Sequence, residues 1–137
     1  MLKTKCMNDP VEADDGIRIC VMQNPSVYYR QLKDYRRKYG RPMYDIHMPE
    51  LGPPKWLKDG YKNGKITWKE YEPIFRREVL KKNWWMIMLI AGLAVDQNVT
   101  LLCSERKADY CHRRLDAEEI RKYQPNLEVI IDYKEAA

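Results

Sequence analysis

The sequence predicts a single three-layer α/β domain, with a mainly parallel sheet of four or five strands and helices on both faces. Three observations carry this reading. Short β-branched runs such as Val99 to Cys103 (VTLLC) lack polar alternation, as strands buried on both faces do. These runs alternate along the chain with stretches of helical periodicity. At the carboxyl end, strand, helix and strand follow one another closely, as in a βαβ unit with parallel strands and a right-handed crossover. The 137 residues, 45% apolar and 33% charged, fit one soluble globular domain over positions 1–137 with a sizeable core. No internal repeat, low-complexity tract or linker divides it.

In chain order, Leu2 to Met7 alternates weakly and predicts an edge strand. Asn8-Asp9-Pro10 and Asp14-Asp15-Gly16 are turn chemistry. Ile17 to Met22 predicts a strand with Ile17, Ile19 and Val21 on one face. Ser26 is placed to cap a helix that runs to Tyr39, with Gly40 at its end and Pro42 beyond. Tyr28, Leu32, Tyr35 and Tyr39 share a face of that helix. Their spacing favours packing on the sheet over base stacking, with the basic residues turned to water. Met43 to Met48 reads as a short strand ending near His47, which is read as a structural residue. The prolines and glycine that follow require irregular backbone over positions 50–55. A short helix from Pro54 to Lys58 should end near Gly60, and Asn63-Gly64 is a turn.

Thr67 and Glu70 form a capping box. The helix it opens carries Trp68, Tyr71, Phe75 and Val79 on one face, with a kink expected at Pro73; at Asn83 it either breaks or runs on. Trp84 to Val95 is apolar on every side. It predicts a central packed helix with both tryptophans in the core and a close crossing at Gly92. The strand Val99 to Cys103 comes next, then a charged loop, a helix over 110–123 and a last strand over 127–133.

The net charge of +5 and a pI near 9.0 tilt the chain toward anionic partners, an anionic small molecule or nucleic acid. The basic residues are spread along the chain, and no known nucleic-acid module is present. Nothing near Met1 resembles a signal peptide, and the run Trp84 to Val95 is too short to span a bilayer. A cytoplasmic protein with reduced thiols and no membrane partner is the expectation. Four cysteines without paired short spacing do not make a disulfide scaffold. Oligomeric state and cofactor are left open.

Chemistry concentrates in Val99 to Arg114. Cys103 ends a strand, Asp109 is placed to cap the next helix, and Cys111, His112, Arg113 and Arg114 fill its first turn. Free N–H groups and the helix dipole meet there, so Arg113 and Arg114, with Arg106 in the loop, make a candidate anion site. A cysteine at that position should ionise easily, which makes Cys111, and also Cys103, a candidate nucleophile. His112 or Glu105 would move the proton. The spacing is not that of a phosphatase loop, since Asp109 stands where the arginine would be. Three other readings stand beside this one. The site could bind nucleic acid or phosphate without catalysis. The cysteines and arginines could serve structure alone, as buried thiols and loop pairs. Cys103, Cys111 and His112 could ligate zinc, although no Cys-x-x-Cys is present, no fourth ligand is evident and no metal ligand is assigned.

The stretch Leu101-Leu102-Cys103-Ser104-Glu105 to Cys111-His112-Arg113-Arg114 resembles the signature of the domain-of-unknown-function 488 (DUF488) family. There, a strand ending in Cys-x-Glu precedes a Cys-His-Arg helix start. Asp15-Gly16-Ile17-Arg18, Tyr44-Asp45 to Leu51-Gly52-Pro53, and Gly64-Lys65-Ile66-Thr67-Trp68 are similar to segments of its small YeaO-like branch. The similarity covers nearly the whole chain. It implies an α/β domain and no particular activity. After the first of these strands the branch carries Arg-x-Trp-Pro-Arg-Gly, whereas this chain has Gln23-Asn24-Pro25-Ser26. His47 stands near a family tryptophan. If the family arginines bind an anion, that part of the basic lining is altered here.

Overall fold

A computed structural model of the chain describes residues 1–132. Five parallel strands form one sheet in the order β3-β2-β4-β1-β5: β1 (Leu2–Cys6), β2 (Ile17–Cys20), β3 (Ile46–His47), β4 (Val99–Cys103) and β5 (Val129–Ile130). Helices cover both faces, as the sequence predicts. β4 and β5 are parallel, but β1 lies between them, in register Leu2 to Val99 and Leu2 to Val129. The first strand is therefore no edge. All five of its residues are buried, Lys3 and Lys5 included.

The two faces differ in chemistry. Leu2, Ile19, Val21, Val99 and Leu101 meet α3 (Trp68–Phe75), α4 (Trp84–Asp96) and α5 (His112–Tyr123) in the main core. On the other face, α1 (Tyr29–Tyr39) packs Tyr35 against Cys20 and Leu102, with Tyr28, Leu32 and Tyr39 half-buried beside it. The shared face of the four residues thus packs as their spacing requires. The rest of this face carries Lys3, Lys5, Arg18 and Thr100. An acidic 3-10 turn, Ala13–Asp15, closes over them. Gly16 leaves that turn at φ 62, with its Cα so close to the Asn98 carbonyl that no side chain fits.

Several boundaries move for identifiable reasons. Pro25 starts a 3-10 turn over Pro25–Tyr28, so α1 begins at Tyr29 and Ser26 is not its cap. Gly40 ends α1 at φ 66, its N–H donating to the Arg36 carbonyl at 2.8 Å, as expected. Of Met43 to Met48 only Ile46–His47 pairs, since Met43 and Met48 turn into the core. The next helix, α2 (Lys55–Lys62), runs through Gly60 because the Ile66 side chain fills the space a Cβ would need. The Thr67–Glu70 capping box forms. The helix passes Pro73 and instead widens into a π turn over Arg76–Leu80, where Lys81 N–H reaches the Arg76 carbonyl at 2.9 Å. Asn83 then caps α4, so the helix breaks there.

Two expectations for α4 fail. Trp84 and Trp85 are 54% and 52% exposed, and no atom approaches within 4 Å of a Cβ placed on Gly92. At the start of α5 the cap is Cys111, with extended backbone at φ −132 and ψ 140, and not Asp109. The last strand is shorter than predicted, and Tyr133 lies outside the described residues. Among the described residues no helix is long and apolar enough to cross a membrane.

Candidate functional site

β2 and β4 are neighbours, yet the chain leaves them toward opposite faces, β2 into α1 and β4 into α5. In an open parallel sheet this divergence opens a crevice at the carboxyl ends of the two strands. The crevice is present as a solvent-open cleft of about 710 Å³, its mouth included. Met22, Gln23 and Asn24 line it from the β2 end, and Cys103, Ser104 and Glu105 from the β4 end. Cys111 and His112, at the start of α5, complete its floor. The Gln23 loop therefore lies beside the Cys-His turn, as adjacent strand ends require.

The floor is a tight cluster. The Cys111 thiol donates to Cys103 Sγ at 3.2 Å, and His112 Nδ1 lies 3.8 Å from Cys103 Sγ and 4.0 Å from Cys111 Sγ. His112 Nε2 sits 2.8 Å from the Val21 carbonyl, which accepts its N–H and fixes the ring. The hydrogen bond from Cys111 lowers the Cys103 pKa well below its ordinary value; burial opposes this, and the charge of His112 adds to it. Burial works against the imidazolium, but the Cys103 charge and hydrogen bond outweigh it and hold His112 at about 9. Donating to Cys103, together with burial, pushes Cys111 well up. The thiolate thus falls on Cys103, not on the cysteine at the helix start, because Cys111 spends its proton on its neighbour.

Arg113 is fully buried and ties the loop together. It donates to the carbonyls of Glu105 and Arg106, the latter at 3.3 Å, and pairs with Asp132 at 3.4 Å. Arg114 pairs with Glu118 and donates to the Asp109 carbonyl at 3.1 Å, its guanidinium 5.8 Å over Trp68. Glu105 lines the cleft, whereas Arg106 is exposed outside it. The three arginines proposed from sequence are thus apart from the cleft lining, and two of them are engaged within the chain.

Positive charge reaches the cleft from elsewhere. Lys58 and Lys62, one turn apart on α2, line it, and neither makes an ion pair among the described residues. Aromatic rings form the walls: Tyr28, Tyr61, Trp68, Tyr71 and Tyr110. Trp68 stacks on Tyr71 with centroids 4.7 Å apart and meets Tyr110 edge-on at 5.7 Å. Behind the floor lies Asp116, one turn after His112 on α5. It is fully buried, and neither carboxyl oxygen has a hydrogen-bond partner among the described residues. Burial raises its pKa well above the usual range, against the charge of His112, and so favours the protonated carboxyl. Sequence reasoning missed Lys58, Lys62 and Asp116. The i, i+4 spacing of the lysines, and that of His112, Asp116 and Ile120, was the available signal. His47 holds the Met22 carbonyl at 2.7 Å, a structural role at the cleft edge.

All four cysteines are free and buried. Cys103, Cys111 and His112 offer three soft ligand atoms within 4.8 Å of one another, a set that could hold a metal ion. The family model DUF488-N3a, described as the active DUF488-N3 subclade, matches residues 2–124. The chain belongs to the DUF488 family. No curated protein and no solved structure matches it. Within this DUF488 domain Cys103 to Glu105 of the Cys-x-Glu segment and Cys111 and His112 of the Cys-His-Arg segment meet at one cleft, although the five residues 106–110 separate the segments.

Proposed function

We propose that this DUF488 domain is an enzyme in which the Cys103 thiolate attacks an anionic, ring-bearing substrate held in the cleft. The single observation that carries the reading is the Cys103–His112 pair, thiolate beside imidazolium at 3.8 Å, on the floor of a cleft at the divergence of β2 and β4. A buried ion pair of this kind keeps a cysteine nucleophilic at neutral pH. Lys58 and Lys62 favour an anionic group, and the tyrosine and tryptophan walls favour a planar ring. In the first step Cys103 Sγ bonds to an electrophilic carbon. The bond from that carbon to its leaving heteroatom breaks, and the proton on His112 Nδ1 goes to the leaving group. Water, deprotonated by His112, then cleaves the carbon–sulfur bond and restores the thiolate. The description of the matched family model as an active subclade agrees with this reading.

The test is alkylation by iodoacetamide across pH, with the labelled thiols mapped by mass spectrometry. Cys103 should react faster than free cysteine at neutral pH and lose that advantage in His112→Gln. Reaction no faster than free cysteine would sink the proposal. The spacing of the three ligand atoms favours one second reading, a zinc ion held by Cys103, Cys111 and His112 with its fourth position toward the cleft. One equivalent of zinc in protein purified without chelator, with alkylation blocked until the metal is removed, would select it.

A further inference from the structure

The outer face of α4 is apolar and faces solvent. Trp84, Trp85, Met88, Leu89 and Val95 are 47% to 57% exposed. At 3.6 residues per turn these positions, with Gly92 and Asp96, fall within roughly 140° of arc, the width of a face that normally meets a core. Two half-exposed indoles and three half-exposed aliphatic side chains leave on the order of 500 Å² of apolar surface, the size at which a patch marks an interaction site.

We infer that this face pairs with the same face of a second copy of the chain, two α4 helices running antiparallel about a two-fold axis. The pattern is self-complementary about a point between Met88 and Leu89. Antiparallel pairing about that point sets Trp85 opposite Gly92 of the second copy and Met88 opposite Leu89. Every pair then occurs twice, as an isologous contact requires. Gly92 is the decisive position. A glycine in a helix interior costs up to about 1 kcal/mol relative to alanine, and no contact within this chain requires it, since nothing lies within 4 Å of its Cβ position. Opposite an indole it gives the ring a groove to enter. Two such faces bury about 1,000 Å² of apolar surface, at the threshold of a specific interface before the flanking residues are counted.

Sedimentation velocity on the full chain is the test. The wild type should sediment as a dimer. Trp85→Lys and Gly92→Gln should both sediment as monomers with unchanged helical circular dichroism and unchanged Cys103 alkylation, since both positions are exposed and away from the cleft. A wild-type monomer, or a dimer that survives Trp85→Lys, would overturn the inference, and a dimer that survives Gly92→Gln would overturn the antiparallel arrangement.

Discussion

The sheet buries two clusters of ionisable groups, and they balance charge to very different degrees. Under the face covered by the acidic turn, Asp15 meets Lys3 at 2.8 Å, Lys5 at 2.7 Å and Arg18, while Glu12 and Asp14 add further contacts to the lysines. Three cations face three anions, Thr100 donates to the Asp15 carbonyl at 2.7 Å, and Arg18 Nη2 is left without a hydrogen-bond partner among the described residues. At the carboxyl ends of β2 and β4, by contrast, Cys103, whose pKa is lowered, and His112, whose pKa is raised, share the floor with Cys111 and Asp116, whose pKa values are pushed up, and neither Asp116 carboxyl oxygen has a hydrogen-bond partner among the described residues. The first cluster has one favourable set of protonation states and holds the fold. The second can redistribute protons at little cost, which is what acid–base chemistry needs. Burial alone does not mark a functional site; burial beside a cleft, with pKa values pushed apart, points to one.

The largest expected effect breaks the charge-balanced cluster. Asp15→Ala leaves Lys3, Lys5 and Arg18 buried without their central counter-charge and should cost about 3–5 kcal/mol in chemical denaturation. Burial works against the Asp15 charge, yet the hydrogen bonds from Lys3 and Lys5 lower its pKa below the ordinary value. A carboxyl lowered in the folded state stabilises above its unfolded pKa, near 4, and that contribution is lost as pH falls through the folded value. Lys3 has the opposite sign: burial opposes its charge, the acidic partners raise its pKa, and its contribution fades only at strongly alkaline pH. Stability of the wild type should therefore hold between roughly pH 4 and pH 10 as far as this cluster decides it. Asp15→Ala should flatten the acid limb. An unchanged acid limb would show that the cluster is not what holds this face.

The second effect probes the open cluster. His112→Gln removes the imidazolium beside Cys103 and should slow Cys103 alkylation at neutral pH by on the order of 100-fold. In the wild type the thiolate persists well below the ordinary thiol range, so labelling should already be fast in mild acid. Turnover has a further requirement, the proton on His112. Activity should fall as pH rises through about 9, where that proton leaves, while alkylation stays high. Parallel loss of both would mean that His112 only creates the nucleophile.

The contrast between the clusters also explains what could be read from the chain. The Cys-His-Arg turn was legible because Cys103 and Cys111 are local in sequence and the strand end fixes their meeting. The charged cluster was not. Lys3 and Lys5 alternate with Leu2, Thr4 and Cys6 as on a solvated edge strand, and only the folded position of the Ala13–Asp15 turn reveals that they are covered. The exposed face of α4 was hidden for the opposite reason. A helix apolar all round carries no periodic signal to tell its inner side from its outer one, and so Trp84 and Trp85 read as core. Asp116 was masked by the charged residues around it, although its spacing from His112 and Ile120 places it on the buried side.

The smallest expected effect separates the two clusters most cleanly, because its sign differs. Asp116 is buried, its pKa is raised by burial, and it has no hydrogen-bond partner among the described residues, so its carboxyl gives up water and regains no hydrogen bond from them. Leucine has nearly the same shape and no polar atoms to desolvate. Asp116→Leu should be neutral or stabilising by about 1 kcal/mol in chemical denaturation, whereas the same exchange at Asp15 should be strongly destabilising. Cys103 alkylation should persist in Asp116→Leu, since the thiolate owes its charge to Cys111 and His112. If Asp116→Leu instead costs as much as the substitution at Asp15, the carboxyl has a partner worth as much as two lysines, and the second cluster is as closed as the first.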